Sequence, residues 1–353
     1  MVGIGGIGSG IFFALEGSHT LGRDESRVGR LLDVRDYCKL HIVSHYVARL
    51  LGAAPQGDFR VIPVGKVGND APARQMVQEM NEAGMDTSHV QVVAGSPTLF
   101  SVCFQYPDGT GGNITTSNSA AATLSNTDLE RVEKLFSEPA IALAVPEVPL
   151  ETRAYFLEMA GRHGAFRAAS FTAAEVVPAL HMGMFANLDV VSLNEGEAAM
   201  LAGRVFDSND PGPFLRACEA KLKADCPQLR LTLTAGKHGA FGYCGGMWDF
   251  CPAPEVEVAS TAGAGDALLA GLIAGAAAGV PFLRDNASLK RGSGEPLASA
   301  LDMAVLLASY TVTSPHTIHP RACIEELLRF AVGLGLDLDP ALRGALEPVS
   351  AGS

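Results

Sequence analysis

A chain of 353 residues with 48% hydrophobic content can bury a sizeable core in one large or two ordinary domains. Its 26 Lys and Arg against 38 Asp and Glu leave a formal charge of −12, and no basic cluster offers a nucleic-acid footprint. The seven cysteines form no Cys-x-x-Cys pair and have no close His partner, so neither zinc nor a disulfide framework is expected, and reduced thiols fit a cytoplasmic protein.

Taken in chain order, residues 1–7 read as a first strand, without the basic leader or cleavage pattern of a signal peptide. Gly3-Ile4-Gly5-Gly6-Ile7-Gly8 fits the dinucleotide pattern G-x-G-x-x-G, yet only Met1 and Val2 precede it and Ser9-Gly10-Ile11-Phe12-Phe13 continues as strand. A Rossmann oxidoreductase is therefore disfavoured. Residues 8–17 and 90–119 alternate Val, Phe, Thr and Tyr with small polar residues, the mark of half-buried antiparallel strands.

Strands are expected over 60–64, 140–145, 166–170, 189–193 and 230–234, and helices over 71–83, 126–136, 150–163, 211–224, 297–310 and 321–332. This βαβ rhythm predicts a mostly parallel sheet covered on both faces. The uncharged segment 267–283 contains Pro281 and falls short of the roughly 20 apolar residues of a membrane span, so it reads as a buried helix. Residues 284–296 read as a surface loop.

The most informative run is Ser260-Thr261-Ala262-Gly263-Ala264-Gly265-Asp266, directly before that uncharged segment. Small residues let backbone N–H groups turn inward, a helix N-terminus adds positive potential, and a carboxylate stands at the rim. The amides of Gly263, Ala264 and Gly265 suit a phosphate gaining charge, and Asp266 suits a proton leaving an attacking hydroxyl. A glycine-rich loop capped by Asp266 ahead of a core helix is the plainer alternative.

Residues 260–273 resemble the C-terminal signature of the ribokinase-like carbohydrate kinases, the PfkB family. Further landmarks stand in the family's order from about Gly3 to about Ala331. Val64-Gly65-Lys66-Val67-Gly68-Asn69-Asp70 resembles its early strand and turn, and Asn194-Glu195-Gly196-Glu197 its Asn-x-x-Glu motif. Thr234-Ala235-Gly236-Lys237-His238-Gly239 resembles its nucleotide loop, and Ala144-Val145-Pro146-Glu147 a strand end with a sugar-contacting glutamate.

The resemblance implies a ribokinase-like α/β fold: a doubly wound, mostly parallel sheet with helices on both faces and a small β-sheet lid. One kinase domain would cover 1–340, with lid strands from 8–17 and 90–119, and 341–353 would be a C-terminal tail. The implied reaction is ATP-dependent phosphorylation of a hydroxymethyl group on a sugar or sugar-like alcohol, with Asp266 as base. Thr234, Gly236, Gly239 and Thr261 would meet the nucleotide, and Ala304 and Ala308 would let adenine lie flat. Helix residues four apart are equally good core spacers.

Asn194 and Glu197 would act on Mg²⁺ through its waters, although an N-cap Asn with a first-turn Glu reads the same way. Ser260, where members usually carry aspartate, weakens any monovalent-cation site. Lids of the family often pair between subunits, which implies a homodimer; no membrane or nucleic-acid partner is implied.

Recognition departs from the pattern. The usual Asn-x-Asp near the first strand is replaced by Gly8-Ser9-Gly10-Ile11, and the Gly-Gly-x-x-x-Asn of the first long helix by Asp36-Tyr37-Cys38-Lys39-Leu40-His41-Ile42. Ser170-Phe171-Thr172 replaces Asp-x-Asn. Ser9, Asp36, Asn113 and Glu147 are the polar candidates left for substrate, the first three equally readable as turn or cap residues. A sugar kinase, a nucleoside kinase and a non-catalytic ligand-binding member all remain open at this point.

Overall fold

The computed structural model describes residues 1–346 apart from Gly109, Thr110, Pro139 and Ser293. β1 (Val2–Ile4) opens the central sheet, and β2 (Gly8–Leu15) and β3 (Gly29–Tyr37) leave it as a hairpin. α1 (Lys39–Leu50) returns the chain to β4 (Ile62–Gly68), and α2 (Ala71–Glu82) leads to β5 (Val90–Val93). β6 (Leu99–Gln105) and β7 (Gly111–Thr115) rejoin the hairpin, after which α3 (Asn126–Glu130) precedes β8 (Ile141–Ala144).

α4 (Leu150–Arg162), β9 (Phe166–Ser170), α5 (Ala173–His181), β10 (Val190–Asn194), α6 (Glu195–Ala202), α7 (Gly212–Asp225) and β11 (Arg230–Thr234) follow. An antiparallel pair, β12 (Gly239–Cys244) and β13 (Met247–Pro252), closes that edge. The chain then runs through α8 (Ala264–Ala277), α9 (Ala300–Thr311), α10 (Ile324–Gly333) and α11 (Pro340–Leu346).

The central sheet has nine strands in the order β13-β12-β11-β10-β9-β8-β1-β4-β5, parallel from β5 to β11. Alternate residues of each strand feed opposite faces. Val190, Ala168 and Leu143 join Leu40 of α1, Leu268 of α8 and Leu301 of α9, whereas Val191, Ala169 and Ala142 join Phe156 of α4, Val176 of α5 and Phe214 of α7. The doubly wound, mostly parallel sheet expected from the sequence is thus present. No helix among the described residues is long and apolar enough to cross a membrane.

A four-stranded sheet in the order β3-β2-β6-β7 forms the lid. It corrects the expected lid in three respects. β3 belongs to it, hydrogen-bonded along β2. Residues 90–93 do not, because Val90 pairs with Gly65 at the edge of the central sheet. β2 and β6 run parallel, since the chain crosses through β4, α2 and β5 before returning. Gly109 and Thr110 of the expected lid lie outside the described residues.

Other expectations also shift. The helix expected over 126–136 stops at Glu130, and Glu133–Phe136 continue as a 3₁₀ turn. The strand over 1–7 ends at Ile4, where Gly5 and Gly6 approach residues 145–147 too closely for side chains of their own. The expected surface loop 284–296 contains no helix or strand among its described residues and is held at two points: Arg284 is buried and paired with Asp249 at 2.5 Å and with Glu295, and Arg291 is paired with buried Asp302. The expected tail begins as α11, with Leu342 and Leu346 buried, and its residues 347–353 lie outside the described residues.

Candidate active site

Chain order reverses at β1, which has β4 on one side and β8 on the other, so a crevice opens beyond the carboxyl ends of β1 and β8. Glu147 stands in it, just past β8. Its backbone is held at φ 79°, a left-handed conformation that costs a non-glycine residue on the order of 1–3 kcal/mol. Gly6 makes way for it: a Cβ there would lie 2.5 Å from Glu147 Oε2. That oxygen is sealed from solvent and has no hydrogen-bond partner. A strained residue with an orphaned buried acceptor is placed for something other than packing.

The N-termini of α1 and α8 meet at the same crevice. Lys39 opens α1, a position the helix dipole makes unfavourable for a cation, and its Nζ donates to Asp266 Oδ1 at 3.0 Å. Asp266 lies in the first turn of α8 and is buried. Its charge holds the Lys39 ammonium well above the ordinary lysine range, against the opposing effect of burial. Gly263 caps α8 at φ 81°, and a Cβ there would lie 2.3 Å from Thr317 O, so only glycine fits. The Ala264 N–H makes a long 3.4 Å bond to Thr261 O.

Asp36 enters from β3, where Cys103 Sγ donates to its Oδ2 at 3.5 Å. Burial pushes Asp36 up to about 6 and Glu147 up to about 7. The charge of Asp266 raises both, and that of Asp36 raises Glu147 further, while Lys39 pulls Glu147 the other way. All these groups line one cleft of about 360 Å³ with Phe12, Leu32 and Val34 of the lid, a size suited to a small ligand. A hollow of about 490 Å³ beside α11 lacks that chemistry, since its Arg284 is spent on Asp249 and Glu295.

The expected site residues are distributed unevenly. Asp266, Gly263, Thr261, Glu147, Asp36 and Asn113 line this cleft together. Ser9 does not, because side chains alternate along β2 and the neighbouring Gly10 takes the Asp36 side. Asn194 and Glu197 form a reciprocal cap at the start of α6, with Asn194 N–H donating to Glu197 Oε2 at 2.8 Å and Glu197 N–H to Asn194 Oδ1 at 2.9 Å. Glu197 nevertheless feels both Lys39 and Asp266 and is raised mainly by burial.

Thr234 ends β11, and Gly236 and Gly239 bound the 3₁₀ turn that follows. Ala304 needs correction as an adenine contact: it is fully buried, and the Cα of Ala304 lies 2.6 Å from where a Gly271 Cβ would be, so it is a spacer between α8 and α9. Ala308, one turn on, keeps partial exposure. Lys39 is the functional candidate missed in the sequence, and nothing in its local pattern marks it.

A family model described as pfkB family carbohydrate kinase matches residues 43–322, most of the chain. The chain belongs to the pfkB family of carbohydrate kinases. Deoxyribokinase of Salmonella typhi is 25% identical over 274 residues, covering 78% of this chain and 82% of that protein. Ribokinase from Giardia lamblia shares the fold with a TM-score of 0.74 at 15% identity, over 93% of this chain and 98% of that one. Ribokinase from Cryptococcus neoformans var. grubii serotype A, solved in complex with ADP, gives 0.70 at 18% identity over 93% and 98%. A Burkholderia thailandensis nucleoside kinase in complex with inosine gives 0.68 at 16% over 96% and 99%.

As a pfkB kinase the chain is a phosphotransferase acting on alcohols, and the raised Glu147 carboxyl makes its stability pH-dependent. The folded protein binds that proton more tightly than the unfolded chain, whose group sits near 4.5. The stabilisation is therefore present below pH 4.5 and lost as pH rises through about 7. Glu147→Gln is expected to raise Tm relative to the parent at pH 8 and to change it little at pH 4. Equal changes at both pH values would rule out buried charge as the cause.

Proposed function

We propose that this protein is an ATP-dependent kinase that phosphorylates a hydroxymethyl group of a sugar or sugar-like alcohol. The observation that carries the reading is the Lys39–Asp266 pair at the N-terminus of α8, in one cleft with Glu147 and Asp36. Oδ1 of Asp266 takes the Lys39 ammonium, which leaves Oδ2 to accept the proton of an incoming hydroxyl. The amides of Gly263, Ala264 and Gly265 and the Lys39 charge stabilise the oxygens of the phosphoryl group in flight. Glu147, whose carboxylate lines the cleft, holds the sugar.

The nucleotide would lie along Thr234, Gly236, Gly239 and Thr261, with Ala308 beside the base. A hydrated Mg²⁺ fits the remaining donor set: Glu197 Oε2 is committed to the cap, Oε1 is left to meet an ion's water, and when bound the ion would neutralise phosphate charge. Glu197→Gln is therefore expected to raise the Mg²⁺ concentration for half-maximal rate. A change in sugar affinity alone, with the Mg²⁺ dependence unmoved, would contradict the role. Glu147→Ala is expected to weaken acceptor binding by about 1–3 kcal/mol, with ATP affinity unchanged in paired titrations.

A nucleoside acceptor is the second reading, favoured by the apolar side chains of Phe12, Leu32 and Val34, against which a base can lie. A pure binder has no use for a lysine-paired base. Leu31 and Ile114, exposed on the lid strands β3 and β7, support pairing of lids in a homodimer, and seven free cysteines support a reducing, cytoplasmic setting. A coupled ADP-release screen across sugars, polyols and nucleosides tests the reading and separates its two versions. No acceptor-dependent ADP from any class would refute it.

A further inference from the structure

We propose that Asp36 is a substrate-gripping carboxylate delivered from lid strand β3 into the space that Gly10 leaves open on β2, and that the acceptor it selects is an unphosphorylated polyol. This rests on the kinase reading above and gives it a substrate class. Gly10 and Asp36 are partners across the β2–β3 ladder, and a Cβ on Gly10 would lie 2.2 Å from Asp36 Oδ2. Two side chains cannot share that volume. Gly10 is not held at positive φ, so glycine serves space there rather than conformation. The ladder also slips between Gly10 and Phe12, and such a bulge re-aims side chains.

Asp36 is braced on both flanks to the loop that packs on Gly263. Thr317 N–H donates to Arg35 O at 3.2 Å, Tyr37 N–H donates to Thr317 Oγ1 at 3.2 Å, and Thr317 O abuts Gly263. The carboxylate is thereby fixed relative to the start of α8. Its carboxylate meets one long thiol contact and the Tyr37 backbone N–H, which leaves acceptor capacity for hydroxyls.

The charge balance narrows the acceptor. Asp36, Glu147 and Asp266 line the cleft, and among its described lining residues the one cation is Lys39, already bound to Asp266. A phosphate already on the acceptor would meet three carboxylates and no spare cation, whereas neutral hydroxyls find acceptors.

The test compares the parent, Asp36→Ala, Gly10→Asp and the Gly10→Asp/Asp36→Ala double variant. The acceptor is whichever of D-ribose, 2-deoxy-D-ribose and inosine the parent turns over fastest. Asp36→Ala should raise acceptor KM about ten- to hundredfold while kcat and ATP KM stay near the parent's. Gly10→Asp alone should lower Tm and also weaken the acceptor, because two carboxylates then compete for one volume. The double variant should recover the acceptor KM, while Tm recovers only in part, because backbone Ser101 O, 2.9 Å from the new Cβ, must still shift. Relief of the side-chain clash alone would recover Tm and leave the acceptor KM high, so the KM decides.

Asp36→Asn keeps the shape and covers the case in which the alanine variant misfolds. An unchanged KM in the Asp36 variants, no recovery in the double variant, or faster turnover of ribose 5-phosphate than of ribose would overturn the inference and leave the kinase reading standing. A parent inactive across all the sugars, polyols and nucleosides of the ADP-release screen would remove both.

Discussion

Asp266→Asn is expected to cut kcat by ~10²–10⁴, the usual share of a positioned general base, with nucleotide affinity and Tm close to the parent's. Asparagine preserves the size of the side chain and can still meet Lys39 through its carbonyl oxygen, so the 3.0 Å contact and the first turn of α8 survive. What disappears is an oxygen able to take a proton. Turnover by coupled ADP release, set beside a nucleotide titration of the same variant, measures both halves. Near-normal turnover would remove Asp266 from the mechanism.

Lys39→Met should lower kcat by about 10²–10³, the cost of deleting one preorganised charge from an anion site. Methionine fills a similar length without the ammonium. Two effects on Tm oppose each other: an unfavourable cation leaves the N-terminus of α1, and Asp266 is left buried without its partner. The rate is therefore the deciding measurement. A variant with parental kcat would make the Lys39–Asp266 pair structural.

The contrast between these two residues shows how much of the site was legible. Asp266 was readable because every part of its environment is contiguous: the glycine-rich run, the helix start and the carboxylate lie within seven residues. Glu147 was readable from its place after a strand, although its strained φ and orphaned oxygen were not. Lys39 carries no local signal, since its significance comes from a partner 227 residues away. It lies in a stretch whose lost Gly-Gly-x-x-x-Asn pattern made the segment look merely degraded.

The fold shows the same division. Central strands at 166–170 and 230–234 have the expected bounds. β3 escaped notice although half-buried Leu32 and Val34 alternate with exposed Asp33 and Arg35 along it. Ala304 and Ala308 show the converse limit. Residues four apart on one helix face share a periodicity, and only the packing of Gly271 against Ala304 separates a spacer from a surface open to a base. Asp36 was legible as a polar candidate, but its relation to Gly10 exists only in the β2–β3 register.

The central claim is that this cleft moves one phosphoryl group from ATP to a primary alcohol. The ³¹P spectrum of the product formed with ATP and the best acceptor of the screen tests it most directly. The account predicts a phosphate ester whose phosphorus couples to two methylene protons, appearing together with ADP in equal amount. Coupling to a single methine proton, or inorganic phosphate as the sole new signal, would contradict it.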